Sequence, residues 1–361
     1  MSQASHDLVR RTVPTTRTEV YDLYWSFASR RHGAFMARLD GRSWPWSDDP
    51  ILQTFKFCNV FRALDRVSQY LISEVAYGSD SMTSPLDRVF QLVAFRTFSK
   101  IGTWNDTSAI LGGAPRLEHL RSGAFAQALD EVRIRTGGLY TGAFILCANK
   151  AFGFDEKHRN HAALFRHMFI DNACAERALD AKSLKALVAL LQSFPLMGPF
   201  MAYQIAIDLN YSDLFSFDEN DYVQAGPGAL RGLRKAFVSL GDYSPSDAIQ
   251  WMVERQSDEF ARLGLRFDGL FGRPLHAIDC QGLFCELDKY CREALPELAS
   301  ARTRIKARYK PSSETMPIYF PPKWRLPSEG SLPGLTRNTS TAVGRRLTRQ
   351  TDQRNLDLFD E

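Results

Sequence analysis

The spacing of apolar residues constrains this chain most, because it repeats the period of an α-helix along most of the length. In residues 18–31, for example, Val20, Leu23 and Phe27 fall at i, i+3 and i+7, on one face of a helix. No stretch of six residues alternates convincingly between apolar and polar side chains, as a half-buried strand would. The sequence therefore predicts an all-α fold in which sheet is sparse.

Helical spacing, together with prolines at helix starts, predicts nine helices. They cover residues 18–31, 50–77, 85–97, 107–111, 117–137, 182–193, 199–210, 245–263 and 276–295. A length of 361 residues fits two domains or one large helical body with a tail. We predict a flexible N-terminus over residues 1–17, a helical body over residues 18–300 and a separate tail over residues 301–361.

Charge and composition set the tail apart from the body. Residues 301–361 hold twelve Lys or Arg and six Asp or Glu, so their net charge is +6. Because the whole chain has a net charge of +4, the first 300 residues carry −2. The tail is also rich in Pro, Ser and Thr, which is typical of disordered segments. We predict a disordered basic tail that lies on phosphates, or alternatively one that only keeps the chain in solution.

Several classes of protein are excluded or disfavoured by what the sequence lacks. It contains no G-x-x-x-x-G-K-[ST] phosphate loop, no G-x-S-x-G and no H-E-x-x-H. It has no apolar run long enough to span a membrane and no apolar signal segment at the start. Six scattered cysteines indicate reduced thiols, in a cytosolic or nuclear compartment.

We predict no cofactor and no metal. Cys280, Cys285 and Cys291 lack the fourth cysteine that an iron–sulfur cluster would need. His158 and His161, with their polar neighbours, are interpreted as a polar helix surface rather than a metal site.

Two glycine-containing turns are candidate phosphate sites. Gly226-Pro-Gly228 fits the start of a helix whose free N–H groups meet a phosphate, or an ordinary Gly-Pro turn. Gly198 lies between two predicted helices, in the run FPLMGPFMAYQI of residues 194–205. This pattern indicates a helix-hairpin-helix at about residues 190–210, which would offer backbone N–H groups to one DNA phosphate.

The hairpin resembles that of the helix-hairpin-helix DNA glycosylase superfamily, which reads L-P-G-V-G-x-x-T-A. In that family the catalytic aspartate follows the hairpin proline by 23 positions, which implies Asp218 when counted from Pro195. The first hairpin glycine is Leu196 here, and Phe200 stands where bifunctional members have a lysine. Strand cleavage through a Schiff base is therefore not expected.

Further motifs resemble the alpha-glutamyl/putrescinyl thymine pyrophosphorylase family and the related helical domain of 5-hydroxymethyluracil DNA kinases. They are residues 24–27 (YWSF), 45–52 (PWSDDPIL), 57–72 (FCNVFRALDRVSQYLI), 95–100 (FRTFSK), 218–221 (DEND), 226–228 (GPG) and 284–290 (FCELDKY). The resemblance implies a glycosylase-like helical fold and an action on thymine-derived bases in phage or phage-like DNA. It further implies that an amine displaces phosphate from activated 5-(phospho- or pyrophospho-oxymethyl)uracil.

Candidate site residues follow from these resemblances. An attacking amine needs a carboxylate to accept its proton, and Asp218 and Asp221, three residues apart, would share a face of a helix. Asn220 would orient a substrate, whereas the alternative role of Asp218 is that of a helix N-cap. Asn59, Arg62 and Gln69 fall near one polar stripe of the predicted helix 50–77 and would contact DNA phosphates, unless the stripe is only a solvated face.

The resemblance also raises Lys289 to a candidate phosphate ligand, since Glu286 and Lys289 are otherwise an ordinary ion pair. The predicted partners are DNA with modified thymine, an amine donor that is an amino acid or polyamine, and a 5-hydroxymethyluracil DNA kinase. The alternatives to an amine transferase are a non-catalytic DNA-binding module that serves such a kinase, and a monofunctional DNA glycosylase.

Overall fold

The computed structural model describes residues 11–78, 83–141, 150–298, 303–305, 307–311 and 318–327. Within them the chain forms fourteen α-helices, so the prediction of a mostly helical fold is confirmed. The helices are α1 (Thr18–Leu39), α2 (Pro50–Thr54), α3 (Arg66–Tyr70), α4 (Pro85–Phe98), α5 (Ile101–Leu111), α6 (Leu117–Ser122), α7 (Ala124–Thr136), α8 (Lys157–Arg166), α9 (Cys174–Leu179), α10 (Leu184–Gln192), α11 (Pro199–Tyr211), α12 (Pro227–Ala236), α13 (Pro245–Arg262) and α14 (Ala277–Ala294). Two short strands, β1 (Thr15–Thr16) and β2 (Phe237–Ser239), pair antiparallel.

Most of the predicted helices are present, and local chemistry explains where they start and stop. Helix α13 begins at Pro245, where the Ser244 hydroxyl accepts a hydrogen bond from the Asp247 N–H. The predicted helix 117–137 is instead two helices, because Gly123 between them has a φ of 81°. Helices α8 and α9 were not predicted.

The prediction of one helix over residues 50–77 is wrong. Helix α2 ends at Thr54, and the chain then runs without helical hydrogen bonds until a short 3₁₀ turn at Arg62–Leu64. Side-chain carboxylates replace the missing helical carbonyls: Cys58 N–H donates to Glu286 Oε2 (3.0 Å) and Arg62 N–H donates to Asp279 Oδ1 (2.9 Å). Both carboxylates belong to α14, so contacts distant in sequence override the local helical pattern here.

Helices α10 and α11 pack against each other around the loop that contains Gly198, as the sequence predicts for this segment. In this loop Leu196 has a φ of 67°, in the left-handed region that glycine occupies without strain. Leu196 stands at the position of the first hairpin glycine in the glycosylase pattern. The helix-hairpin-helix and the glycosylase-like nature of the whole body both stay predictions.

Helix α11 is the centre of the body. Every residue from Met201 to Tyr211 is buried, including the charged Asp208. Asp208 Oδ1 lies 2.7 Å from an Arg62 guanidinium nitrogen and 3.0 Å from one of Arg96. All three side chains are almost fully buried, so α11 carries an ion triad in the interior. The triad ties the 3₁₀ turn and α4 to α11.

Helices α12 and α14 pack closely because glycines on α12 face α14. A Cβ atom added at Gly232 would overlap the backbone carbonyl of Phe284, and one added at Gly228 would overlap the Cys285 sulfur. The Phe284 ring packs in turn on Tyr24 of α1, with ring centroids 4.6 Å apart. This close approach brings the start of α12 next to the middle of α14.

Part of the predicted disordered tail is ordered against the body. Residues 318–327, which we call the strap, bury Ile318 and Phe320. The backbone of Tyr319 is bound by the side-chain amide of Gln69, which accepts from its N–H (2.8 Å) and donates to its carbonyl (3.2 Å). Lys323 donates to the carbonyls of Ser212 (2.9 Å) and Phe215 (2.7 Å), just beyond the end of α11. The prediction of disorder therefore fails for the strap, whereas the predicted tail beyond residue 327 lies outside the described residues.

Within the part of the chain that the structure describes, no helix has both the length and the apolar character needed to cross a membrane.

Candidate nucleic-acid site

Two helices begin with the same Gly-Pro pair; Gly198 is exposed, whereas Gly226 is buried. Gly198 caps α11 and Gly226 caps α12, each in an extended conformation, and each helix has proline as its first residue. The first helical hydrogen bonds run from Ala202 to Gly198 and from Leu230 to Gly226. The helix dipole places positive potential at each start, which favours an anion.

The two helix starts converge. The Phe200 ring, in the first turn of α11, packs so closely on Gly226 that a Cβ there would lie 2.5 Å from a ring carbon. Gly228, two residues further along, packs on Cys285 of α14. The structure therefore places Gly226 and Gly228 beside the middle of α14, with the Phe200 ring of α11 against Gly226, whereas no atom lies within 4 Å of a Cβ added at Gly198. Their contact with phosphate stays a prediction.

Two more predicted residues belong to the same region. Glu286, next to Cys285, accepts hydrogen bonds from Cys58 N–H (3.0 Å) and from the Lys289 ammonium (3.3 Å). Lys289 also donates to the carbonyl of Lys56 and lies 4.6 Å from the centroid of the Phe57 ring. The predicted ion pair between Glu286 and Lys289 is thus present, but it is half-buried against the extended segment 56–59.

Asn59 holds that extended segment in shape rather than pointing freely into solvent. Its side-chain oxygen accepts from Arg31 (2.7 Å) and its amide donates to the Leu64 carbonyl (2.8 Å). Its backbone N–H donates to Asp65 Oδ1 (2.9 Å). Glu286 and Asp65 therefore bind the consecutive N–H groups of Cys58 and Asn59, which places two carboxylates side by side.

This pair of carboxylates changes the proton affinities of the site. Burial raises the pKa of Asp65 to about 6, and the nearby Glu286 carboxylate contributes in the same direction. Glu286 also raises the pKa of the exposed Cys58 thiol well above its ordinary value. Cys58 is thus a protonated thiol at neutral pH and a poor nucleophile, whereas Asp65 is poised to exchange a proton there.

Asp65→Asn should change how stability depends on pH. A carboxyl whose pKa is raised on folding stabilises the protein below its unfolded pKa, and that contribution is lost as pH rises through about 6. We therefore expect the free energy of unfolding of the wild type to fall by about 1–2 kcal/mol relative to that of Asp65→Asn between pH 4 and pH 7.5, after allowance for partial exposure. Urea unfolding at both pH values measures this difference. A difference that is constant with pH would contradict the raised pKa.

Arg62 and Gln69 do not share a polar stripe with Asn59, since the three residues lie on different local structures. Arg62 is buried beside Asp208, with its Nε donating to Gln204 Oε1 (2.9 Å). Gln69 is buried and holds the strap. The predicted stripe required one helix over residues 50–77, which the structure does not contain. Both side chains instead make contacts in the interior. This placement favours a structural role over phosphate binding.

The predicted catalytic residues lie at the other end of α14. Asn220 Oδ1 accepts from the N–H of Ala277, the first residue of that helix (2.9 Å). Lys289 is twelve residues further along α14, about 18 Å at the helical rise. The structure therefore does not bring Asn220 together with Lys289.

Asp218 and Asp221 are exposed and lie in a turn, not in a helix. Asp218 Oδ1 accepts from Asn220 N–H (2.9 Å), and Asp221 N–H donates to the Asp218 carbonyl (3.2 Å). The expectation of a shared helical face is wrong, because the turn closes on itself through the Asp218 side chain. A catalytic role for these residues is untested and stays a prediction.

The histidines considered as metal ligands have other partners. His158 pairs with Asp130, and His161 lies 2.9 Å from the Tyr140 hydroxyl. No group of three or more potential ligands comes together within the described residues.

Sequence reasoning missed Asp65 and Arg31 as members of the site, and it named Glu286 only as the ion-pair partner of Lys289. Asp65 and Glu286 lie inside two of the motifs that carry the resemblance, at residues 57–72 and 284–290, but nothing in the spacing distinguishes them from surface carboxylates. Arg31 has no sequence signal, because its contact with Asn59 depends on the extended chain.

The described residues form a mostly helical protein in which the start of α12 lies beside the long helix α14. Residues 18–300 match the family model described as the helical domain of 5-hmdU DNA kinase, and the chain belongs to this family. A curated relative named 5-hmdU DNA kinase, from Bacillus phage SP10, is 27% identical over 298 residues. The match covers 78% of this chain but 46% of the relative, so the chain spans less than half of that protein's length. No solved structure matches the chain significantly.

Proposed function

We propose that this protein modifies thymine-derived bases already present in DNA, by transferring an amine onto 5-(phospho- or pyrophospho-oxymethyl)uracil with loss of phosphate. The names of the family and of the relative from phage SP10 support 5-hydroxymethyluracil in DNA as the starting base. The amine donor would be an amino acid or a polyamine, and a 5-hydroxymethyluracil DNA kinase would supply the activated base.

One observation carries the proposal. The start of α12 favours an anion and packs on Cys285 of α14, next to Glu286. Glu286 and Asp65 bind consecutive N–H groups, and Asp65 has a pKa of about 6. Displacement of phosphate by an amine needs both elements in one place: donors for the leaving phosphate and a base for the proton of the amine. The base must also leave the DNA stack to reach them.

The reaction balances with these groups. The amine nitrogen attacks the methylene carbon attached to C5 of uracil, and the carbon–oxygen bond to the phosphate breaks with its electron pair on oxygen. The surplus proton of the new ammonium passes to the Asp65 carboxylate, from which solvent removes it. The positive potential at the start of α12, with Lys289, stabilises the charge on the departing phosphate.

The first test is mass spectrometry of nucleosides from DNA that carries 5-hydroxymethyluracil phosphorylated beforehand by a kinase. With a mixture of amino acids and polyamines, we expect a nucleoside heavier than thymidine by an amine adduct. Release of a free base and an abasic site would identify a monofunctional glycosylase instead. Unchanged nucleosides despite measurable DNA binding would contradict the transferase.

Asp65→Asn should lower turnover about 100-fold, with DNA affinity nearly unchanged, because it removes the proton acceptor but keeps the hydrogen bond from Asn59. Wild-type turnover should rise with pH through about 6, as Asp65 ionises. Asp218→Asn is the matched variant, since the sequence alone favoured Asp218. Loss of turnover in Asp218→Asn but not in Asp65→Asn would reject the role of Asp65.

A second candidate function is a non-catalytic module that holds DNA for a separate kinase. The relative's length favours it: the match occupies 46% of a protein named as a kinase, and this chain has no phosphate-loop motif of its own. Unchanged DNA in the assay above, together with increased kinase activity when this protein is added, would support the module.

A further inference from the structure

An exposed group of aromatic rings stands beside the candidate site. Trp44 and Tyr309 stack with ring centroids 5.2 Å apart and planes inclined by 15°. Trp46 meets both rings edge-on, at 5.1 Å from Trp44 and 6.2 Å from Tyr309. We call these three rings the aromatic platform. Trp44 is 38% exposed, which is unusual for so large an apolar side chain.

The platform is held rigidly by contacts on its inner side. The Trp46 indole N–H donates to the Arg42 carbonyl (2.7 Å), and the Arg38 guanidinium lies 5.2 Å from the Trp46 ring. Tyr309 is fixed through its backbone, whose N–H donates to the Thr54 carbonyl (2.9 Å). The rings are therefore preorganised, and stacking on Trp44 costs little conformational entropy.

Positive charge surrounds the platform. Arg42 and Arg38 precede Trp44 in the chain, and the exposed Arg308 and Lys310 flank Tyr309. Asp40 lies 3.8 Å from Arg42, but both side chains are more than half exposed, so this pair is weak. Flat aromatic faces bordered by arginines and lysines match a polymer of flat bases and phosphates.

The platform also adjoins the candidate site along the backbone. Residues 307–309 pair with residues 54–56, where Lys56 N–H donates to the Ala307 carbonyl (2.9 Å). The carbonyl of Lys56 accepts from Lys289 on the other side. Thr54 and Lys56 are about 7 Å apart in an extended chain, roughly the reach of one or two nucleotides.

We propose that the aromatic platform binds unpaired DNA bases next to the base that is modified, so that the protein prefers single-stranded or locally opened DNA over an intact duplex. This inference rests on the proposed function for its choice of DNA. It adds that the DNA is unpaired and names the residues that bind it. Bases stack on Trp44, and Arg42, Arg308 and Lys310 bind the adjacent phosphates.

The test measures the affinity of the full chain for a fluorescein-labelled oligonucleotide, single-stranded and as a duplex, by anisotropy. We expect Trp44→Ala to weaken single-strand binding about tenfold and duplex binding less, because stacking on an exposed ring needs an open base face. Phe154→Ala is the matched control, since Phe154 is an exposed aromatic residue (40%) outside the platform, and it should leave both affinities unchanged. Trp44→Phe, which keeps an aromatic face, should restore most of the binding.

Equal affinity of wild type and Trp44→Ala for the single strand would overturn the platform, as would equal loss in Trp44→Ala and Phe154→Ala. A loss confined to duplex DNA would also overturn it. The two proposals can fail separately. If the nucleoside assay shows no modified base, the proposed function is wrong, but the effect of Trp44→Ala on single-strand affinity still tests the platform. Thermal unfolding of Trp44→Ala excludes a folding defect as the cause.

Discussion

Asp208→Asn should destabilise this protein by about 3–5 kcal/mol, the largest effect that we expect from any single substitution. Although burial opposes ionisation, Arg62 and Arg96 hold the pKa of Asp208 below its ordinary value, so the carboxylate is charged and completes the buried triad. Asparagine keeps the shape but leaves two buried guanidinium groups without a negative partner. Urea or guanidinium unfolding at neutral pH measures the change.

Asp213→Asn is the matched control for this prediction. Asp213 pairs with Arg88 near the end of the same helix, but its side chain is 59% exposed, so the change should cost less than about 1 kcal/mol. Similar costs for the two variants would show that the triad does not hold α11 in place. A triple variant with Met at positions 62 and 96 and Leu at 208 should recover much of the stability, since apolar side chains need no partner there.

Gly232→Ala should destabilise the protein by about 3 kcal/mol, at the upper end of overpacking effects. The added Cβ would overlap the backbone carbonyl of Phe284, and neither helix backbone can move aside without disturbing the whole contact between α12 and α14. Calorimetric melting temperatures would show the change. Because the site glycines begin α12, we also expect weaker DNA binding in this variant.

Gly282→Ala, in α14, should have the opposite effect on stability. Gly282 lies inside α14 with no atom within 4 Å of an added Cβ, so alanine should raise stability by up to about 1 kcal/mol through helix propensity alone. If Gly232→Ala were as well tolerated as Gly282→Ala, the close packing of α12 on α14 would be refuted.

The local sequence pattern predicted most of the helices, because the period of the apolar residues and the capping residues both depend on positions close together in the chain. It predicted the loop around Gly198 and the helix start at Gly226 for the same reason. The break after α2 escaped prediction, since it depends on carboxylates from residues 279 and 286 that bind the N–H groups of Arg62 and Cys58. No pattern within residues 50–77 reports those partners.

Only part of the predicted arrangement of site residues is present. Gly226 and Gly228 lie beside Cys285, and Asn59 and Lys289 lie near Glu286, whereas Arg62 is drawn inward by Asp208, which is 146 positions away in the chain. Asp65 gains its raised pKa from burial and from Glu286, and both exist only after folding. Residue type and spacing identify a polar side chain, but its partner decides whether that side chain faces the ligand or the interior.

The hydrogen bonds from segment 58–62 to α14 have a consequence for the order of events during synthesis. They join residues 228 and 217 positions apart, so their partners leave the ribosome long after the segment itself. Such distant contacts form late, because a large loop must close before they contribute. A nascent chain that has not yet produced α14 therefore keeps these N–H groups in water, and the site appears only when the body is nearly complete.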